Sequence, residues 1–235
     1  MVIERMTAEE RRLSIVEKSL PLFAEKGFAK TTTKDIANAA GVSEALLYKH
    51  FPSKESLYTA LHEHCCVRVE EQLNSHELAK PSTETLILLL YYIVRSIVLG
   101  EGHVRQHLYL KRLMINSFLE DGQFAKLFIE KKSLEWEPAL LKHLKVAQES
   151  GDIADLPYSI KDRAWFAHHL AVAISMMRLP GVEAVNYENK EILDRISNAA
   201  LFCIRGVGVK DEAIKKYFKP EKYQIDETGL ISIKK

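Results

Sequence analysis

Residues 32–51 read TTKDIANAAGVSEALLYKHF, two short helix-like runs on either side of one glycine, Gly41. Neither run reaches the roughly 12–15 residues at which an isolated helix becomes marginally stable in water. Each stub must therefore lean on something else. Thr32 and Asp35 stand three apart and form a cap pair for a first run ending at Ala40, and Ser43 caps a second run through His50. Gly41 supplies a left-handed backbone that costs a larger residue about 1 kcal/mol. Two stubs across such a turn are the layout of a helix-turn-helix. Ile36, Ala37, Ala40, Val42, Leu47 and Phe51 fall on the inward side, and the small Ala39 and Ala40 let the stubs cross closely.

The preceding segment provides the support. Thr7 and Glu10 repeat the cap pair, and Leu13, Val16, Leu20 and Phe23 follow at helical spacing until Gly27. Pro21 marks a place for a kink. On the other side Pro52 ends the second stub, and Ser53 caps a long helix carrying Leu57 and Leu61.

With the inner side occupied, the outer side of the second stub is free. Glu44, Ala45, Leu46, Tyr48, Lys49 and His50 mix apolar, aromatic and hydrogen-bonding groups. Such groups match the thymine methyls, purine acceptors and cytosine amino groups of the DNA major groove. Thr32, Thr33 and Lys34 open one helix, Ser43 opens the next, and Ser53 and Lys54 begin another. Free N–H groups at helix starts make phosphate seats. Glu44 suits either a cytosine amino group or the helix dipole, and Leu46 suits either a thymine methyl or the core beside Leu47.

Bulk properties set the class. The chain has 235 residues, 47% of them apolar, enough for a sizeable core. A net charge of +1 excludes a uniformly basic coat but not a local basic patch. Three cysteines, Cys65, Cys66 and Cys203, are too few for a disulfide framework and fit a reduced, cytoplasmic setting. The charged N-terminus lacks an apolar signal-peptide core, and the most apolar run, Leu86 to Leu99, is too short for a bilayer. No membrane association is expected.

Beyond the fourth helix the periodicity stays helical, over about Thr83–Leu99, Val104–Phe118, Gln123–Ser150, Ile160–Leu179, Lys190–Ile204 and Asp211–Phe218. ISI near the end reads as a short strand or a loose terminus. The expected fold is all-α. Its parts are a helix-turn-helix domain over 1–55, a helical body over 56–218 joined by a helix from about 53 to 75, and a tail over 219–235. No phosphate loop, GxGxxG, H-E-x-x-H or G-x-S-x-G is present, so no enzyme activity and no cofactor are expected. His103 with His107, and His62 and His64 with Cys65 and Cys66, lack a third ligand at workable spacing, so no metal site is expected. Cys65 with Cys66 is a candidate thiol sensor.

The stretch GFAKTTTKDIANAAGVSEALLYKHFPSKESLYTAL, Gly27 to Leu61, resembles the DNA-binding region of TetR-family transcriptional regulators. The shared features are GF, the TT pair, IA, AGVS, the LY pair, F-x-S-K and the trailing leucine. The resemblance implies a ligand-responsive regulator, commonly a repressor. It would bind a double-stranded inverted-repeat operator as a homodimer and leave it when a small effector binds. By position, Thr33, Tyr48, His50 and Lys54 would contact phosphates or the groove, while Glu44, Ala45 and Leu46 would face base edges. Glu44 and Leu46 depart from the small or polar residues more usual there, which leaves the operator open.

Dimerisation is expected on the last two long helices, through Ala164, His168, Ala171, Val172, Ser175 and Leu179 and through Ile192, Ile196, Ala199, Ala200 and Cys203. The alternative is that these stripes serve the monomer's core. Candidate effector contacts are Tyr92, His107, Tyr109, Met114, Trp136, Trp165, His169 and Met176, a mix that suits an apolar or aromatic molecule.

Overall fold

The computed structural model describes residues 6–65, 80–99, 104–179, 185–188, 191–225 and 231–234, apart from the side chains of His62, Cys65, residues 104–107, Lys132, Glu135, Ile225 and Ser232. It is all-α with an N-terminal helix-turn-helix and a C-terminal helical domain, plus one short strand pair near the end. Two compact units are present, Met1–Val67 with Arg105–Lys131 and Arg68–Val104 with Lys132–Lys235. Among the described residues no helix is long and apolar enough to cross a membrane.

The first unit is built from α1 (Ala8–Lys30), α2 (Thr33–Ala40), α3 (Glu44–His50), α4 (Lys54–Cys65), most of α6 (Val104–Leu119) and the start of α7 (Gln123–Glu149). Cap chemistry starts its first helices. Thr7 and Glu10 make a complete capping box, as do Thr32 and Asp35, and Ser43 Oγ accepts the Leu46 N–H at 3.2 Å. The Asp35 carboxyl is held below its usual range first by the Thr32 backbone N–H, then by the Thr32 hydroxyl and Lys26. Gly41 ends α2 at φ 66°, in the left-handed region.

Gly27, expected to stop the first helix, does leave helical geometry at φ 78°, ψ 170°, and one further turn follows to Lys30. A Cβ there would collide with the Glu120 carboxylate. That carboxylate accepts the Phe28 N–H at 3.2 Å, and Asn116 Nδ2 donates to the Ala24 carbonyl at 2.8 Å. These groups satisfy backbone atoms freed where α1 breaks.

The core of this unit joins Ile15, Val16, Leu20 and Phe23 to Ile36, Ala37, Leu47, Phe51, Leu57 and Leu61, with Leu113 and Phe124. Leu13, expected on the stripe, is exposed, and Ile15 is fully buried in its stead. Leu13 sits at the stripe's edge, and the support arrives from the Ile15 and Ser19 side. Phe23 stacks on Phe28 and meets Tyr58 edge-on at 4.9 Å.

The second unit centres on α5 (Thr83–Leu99), buried on nearly all sides from Leu86 to Tyr92. The apolar run too short for a bilayer is thus an interior helix. Around it pack α8 (Ile160–Met176), α9 (Ile192–Gly206) and α10 (Asp211–Tyr217). Ala164, Ala167 and Ala171 of α8 and Ile196, Ala200 and Cys203 of α9 are buried in this core. The Ser175 hydroxyl donates to the Ile97 carbonyl at 2.8 Å. The small-residue stripes expected to face a partner copy therefore serve the interior, where Ala lets helices approach α5 closely. Burial raises the Cys203 thiol to about 11.

Arg163 is also buried, and its guanidinium donates to the carbonyls of Ala154, Leu156, Tyr158 and Val207. A cation so enclosed is sustained only by that set of acceptors. The strands β1 (Tyr223–Ile225) and β2 (Ile231–Ile233) pair antiparallel, with Tyr223 opposite Ile233. The strand reading of ISI is the observed one. Ile231 is buried and Tyr223 packs on Tyr91, which anchors the pair to the core.

Candidate nucleic-acid interface

The helix-turn-helix sets α3 with one side in the core and the other in solvent. Leu47 and, just beyond the helix, Phe51 point inward. Glu44, Ala45, Tyr48 and Lys49 are exposed, while Leu46 and His50 are half-buried. Tyr48 keeps 47% of its surface in solvent, large for an aromatic ring on so short a helix. Arg12 lies over the Phe51 ring at 5.2 Å and covers the end of α3.

Three helix starts converge beside this face. Thr33, Tyr48, Ser53 and Lys54 line one shallow hollow floored by Ile36, Leu47, Phe51 and Leu57. Thr32 and Ser43 serve as N-caps, and Lys34 is exposed in the first turn of α2. Of the expected contact residues, Thr33, Tyr48 and Lys54 thus meet at one hollow, although they span 22 positions of sequence.

Two side chains do more than the sequence suggested. Lys54 Nζ donates to the carbonyls of Phe28 at 2.8 Å and Thr31 at 3.1 Å, and lies 4.2 Å from the Phe28 ring centre. It closes the frayed end of α1, and one of its three protons remains. Thr33 Oγ1 donates to Glu44 Oε2 at 3.1 Å, and the Tyr48 hydroxyl stands 3.5 Å from Thr33 Oγ1.

The expected effector contacts do not gather in one place. Tyr109 and Met114 pack against the core of the first unit. Tyr92 is buried in the core of the second. Trp136, Trp165 and His169 do associate, with the Trp rings 5.1 Å apart and His169 5.6 Å from Trp165. Met176 is half-buried on α8, and the His107 side chain lies outside the described residues. His168, expected on the dimer stripe, belongs to this aromatic group, stacked on Trp136 at 5.6 Å, and burial followed by the His169 charge lowers its pKa to about 4. Glu137 accepts the Trp165 indole N–H at 3.1 Å and pairs with Lys161 at 2.8 Å.

The sequence reading missed Glu120 and Arg163. Their partners lie on other elements, and no local motif marks them. The thiol-sensor candidate Cys65 with Cys66, and the pair His103 with His107, fall on residues or side chains outside those described.

Residues 15–61 match the family described as bacterial regulatory proteins, tetR family. Over that stretch the chain is similar to the tetR family. Among relatives, it is 39% identical over 84 residues to the nucleoid occlusion factor SlmA of Haemophilus influenzae strain PittGG, a match covering 35% of this chain and 37% of that protein. The chain spans well under half the length of the first curated relatives it matches. Solved tetR-family structures share the fold over most of the chain. One, from Rhodococcus RHA1, has a TM-score of 0.64 at 16% identity and covers 88% of this chain and 100% of its own. Another, a regulator from Saccharomonospora viridis in complex with choline, has a TM-score of 0.63 at 18% identity, covering 86% and 99%.

Proposed function

We propose that this protein is a regulator of the tetR type, a cytoplasmic, effector-responsive transcriptional repressor that binds an inverted-repeat operator as a homodimer. The observation that carries the reading is the exposed side of α3 beside three helix starts. Thr33, Lys34 and Ser43 hold phosphates through free backbone N–H groups and nearby charge, beside Thr32, whose own N–H is taken by Asp35. Tyr48, Lys49 and His50 grip the groove walls, the third proton of Lys54 reaches a phosphate, and Glu44, Ala45 and Leu46 face base edges. The DNA-binding domain is residues 1–55, the effector-binding and dimerisation domain 56–218, with α4 as the lever between them.

A second copy docks on the outward side of α8 and α9, where Phe166 is 61% and Phe202 69% exposed. Isolated surface phenylalanines are tolerated, but two this open on adjacent helices suit a partner face. Two heads then sit about one DNA turn, roughly 34 Å, apart. The aromatic group of Trp136, Trp165 and His169 forms part of the effector site. The choline held by the Saccharomonospora viridis protein supports a small-molecule role for this fold. Effector binding shifts the population of head spacings away from the operator-competent one.

Enrichment of random duplexes by the purified protein tests the reading. A palindromic sequence is expected, bound with an affinity that falls steeply with salt. Lys34→Ala should flatten the salt slope by about one unit. Phe202→Glu should give a monomer in sedimentation. Failure to enrich any sequence at low ionic strength refutes the proposal.

A further inference from the structure

We infer that Thr33 is a positioning residue that holds the Glu44 carboxylate for reading an amino group on a base edge, cytosine first. The inference rests on the DNA-binding reading above and assigns the base chemistry of that same face.

A carboxylate on a DNA-facing helix is repelled by every nearby phosphate. It is tolerated there only where it meets donors. In the major groove guanine offers O6 and N7 and thymine offers O4, all acceptors, while cytosine offers its N4 amino group. Glu44 thus discriminates in both directions, by accepting from cytosine and by repelling guanine and thymine edges. Among the described residues no cation stands within ion-pair distance of it.

Left alone, an exposed glutamate samples many rotamers, and ordering it on DNA costs conformational entropy. Thr33 removes part of that cost beforehand. It is the first residue of α2, Glu44 is the first residue of α3, and the turn at Gly41 brings the two together. The single hydroxyl hydrogen of Thr33 goes to Glu44 Oε2 at 3.1 Å. Thr33 Oγ1 can then only accept from the Tyr48 hydroxyl, 3.5 Å away at the outer limit of a hydrogen bond, so the donors run Tyr48 to Thr33 to Glu44. One acceptor position of Glu44 is used, and about three stay open for a base. The Thr33 backbone N–H, in the first turn of α2, is left for phosphate. The competing explanation is that Glu44 merely complements the α3 dipole. That role changes stability and leaves base preference untouched.

The test is selection from a randomised duplex pool by the full chain and by Glu44→Ala, Thr33→Val and Thr33→Ser, with thermal melts of each. The parent should prefer cytosine about 10-fold at one position per half-site, within the range for a direct base contact. Glu44→Ala should lose that preference and bind mixed-sequence duplex more tightly. Thr33→Val should reduce the preference several-fold, more than it reduces mixed-sequence affinity, and Thr33→Ser should restore it. If the parent selects an operator and both Glu44→Ala and Thr33→Val keep its preference at every position, the inference is overturned while DNA binding stands. A Thr33→Val variant that weakens all sequences alike also overturns it, since Thr33 would then be a phosphate contact alone. A parent that enriches nothing overturns the DNA-binding reading and the inference with it.

Discussion

The helix-turn-helix and the helix α5 solve opposite problems with similar residues. The stubs α2 and α3 are too short to be stable alone, and each buries one side and leaves the other in water. The helix α5 is buried almost all round and presents no face to solvent between Leu86 and Tyr92. In the first case local devices carry the structure, namely two caps, one glycine and a handful of core side chains. In the second case the burial of a long apolar helix carries it, and polar ties such as Ser175 to Ile97 finish the packing. The lesson is that an exposed functional face is available only where a small core and good caps already suffice.

The largest loss is expected at Phe23, which is fully buried against Phe28 and Tyr58. Phe23→Ala should lower stability by about 3–5 kcal/mol in chemical denaturation. A cost under 1 kcal/mol would mean that the first unit does not depend on this aromatic cluster. In the second unit the comparable weak point is polar. Arg163→Met should cost about 2–3 kcal/mol, because it leaves several carbonyls unpaired. Retention of the parent melting temperature would show that those carbonyls find other donors.

Acid sharpens the contrast. His168 titrates at about 4 in the folded protein, against an unfolded value near 6.5. Between these values the unfolded chain binds more protons, so the second unit should lose stability as pH falls from about 6.5 to 4. His168→Gln should flatten that limb of a stability-versus-pH curve, and an unchanged slope would remove His168 from the account. Asp35 acts lower. Its folded pKa is depressed, so its contribution is present above its unfolded value and is lost only as pH falls through the folded one, below about 4. The smallest change follows from removing the cap that causes this shift. Thr32→Ala should cost about 1 kcal/mol and make the strongly acidic limb shallower. An acid limb as steep as the parent's would show that the Thr32 to Asp35 box is not what depresses the carboxyl.

Legibility in the sequence divided along the same line. Caps at Thr7, Thr32 and Ser43 and the turns at Gly27 and Gly41 were readable because each depends on neighbours within four residues. Leu13 misled because periodicity defines a stripe but not which of its edges meets the support. On α8 and α9 the small-residue stripes were correctly found and wrongly aimed. Ala164, Ala171, Ala200 and Cys203 meet α5, while Phe166 and Phe202 take the outer side. Lys54 and Glu44 were found as polar groups at helix starts, but their engagement with Phe28, Thr31 and Thr33 crosses from one element to another.

By itself, then, the order of residues determined the helical class, the caps and turns of the head, and which side of α3 is apolar. These follow from backbone hydrogen bonds and side-chain spacing within a few positions. Only the tertiary structure decided which helix face meets another helix, where Arg163 and Glu120 find their acceptors and donors, and which hydroxyl holds Glu44. Those outcomes depend on groups 5 to 92 positions apart that lie on different elements, and no local periodicity encodes such pairings.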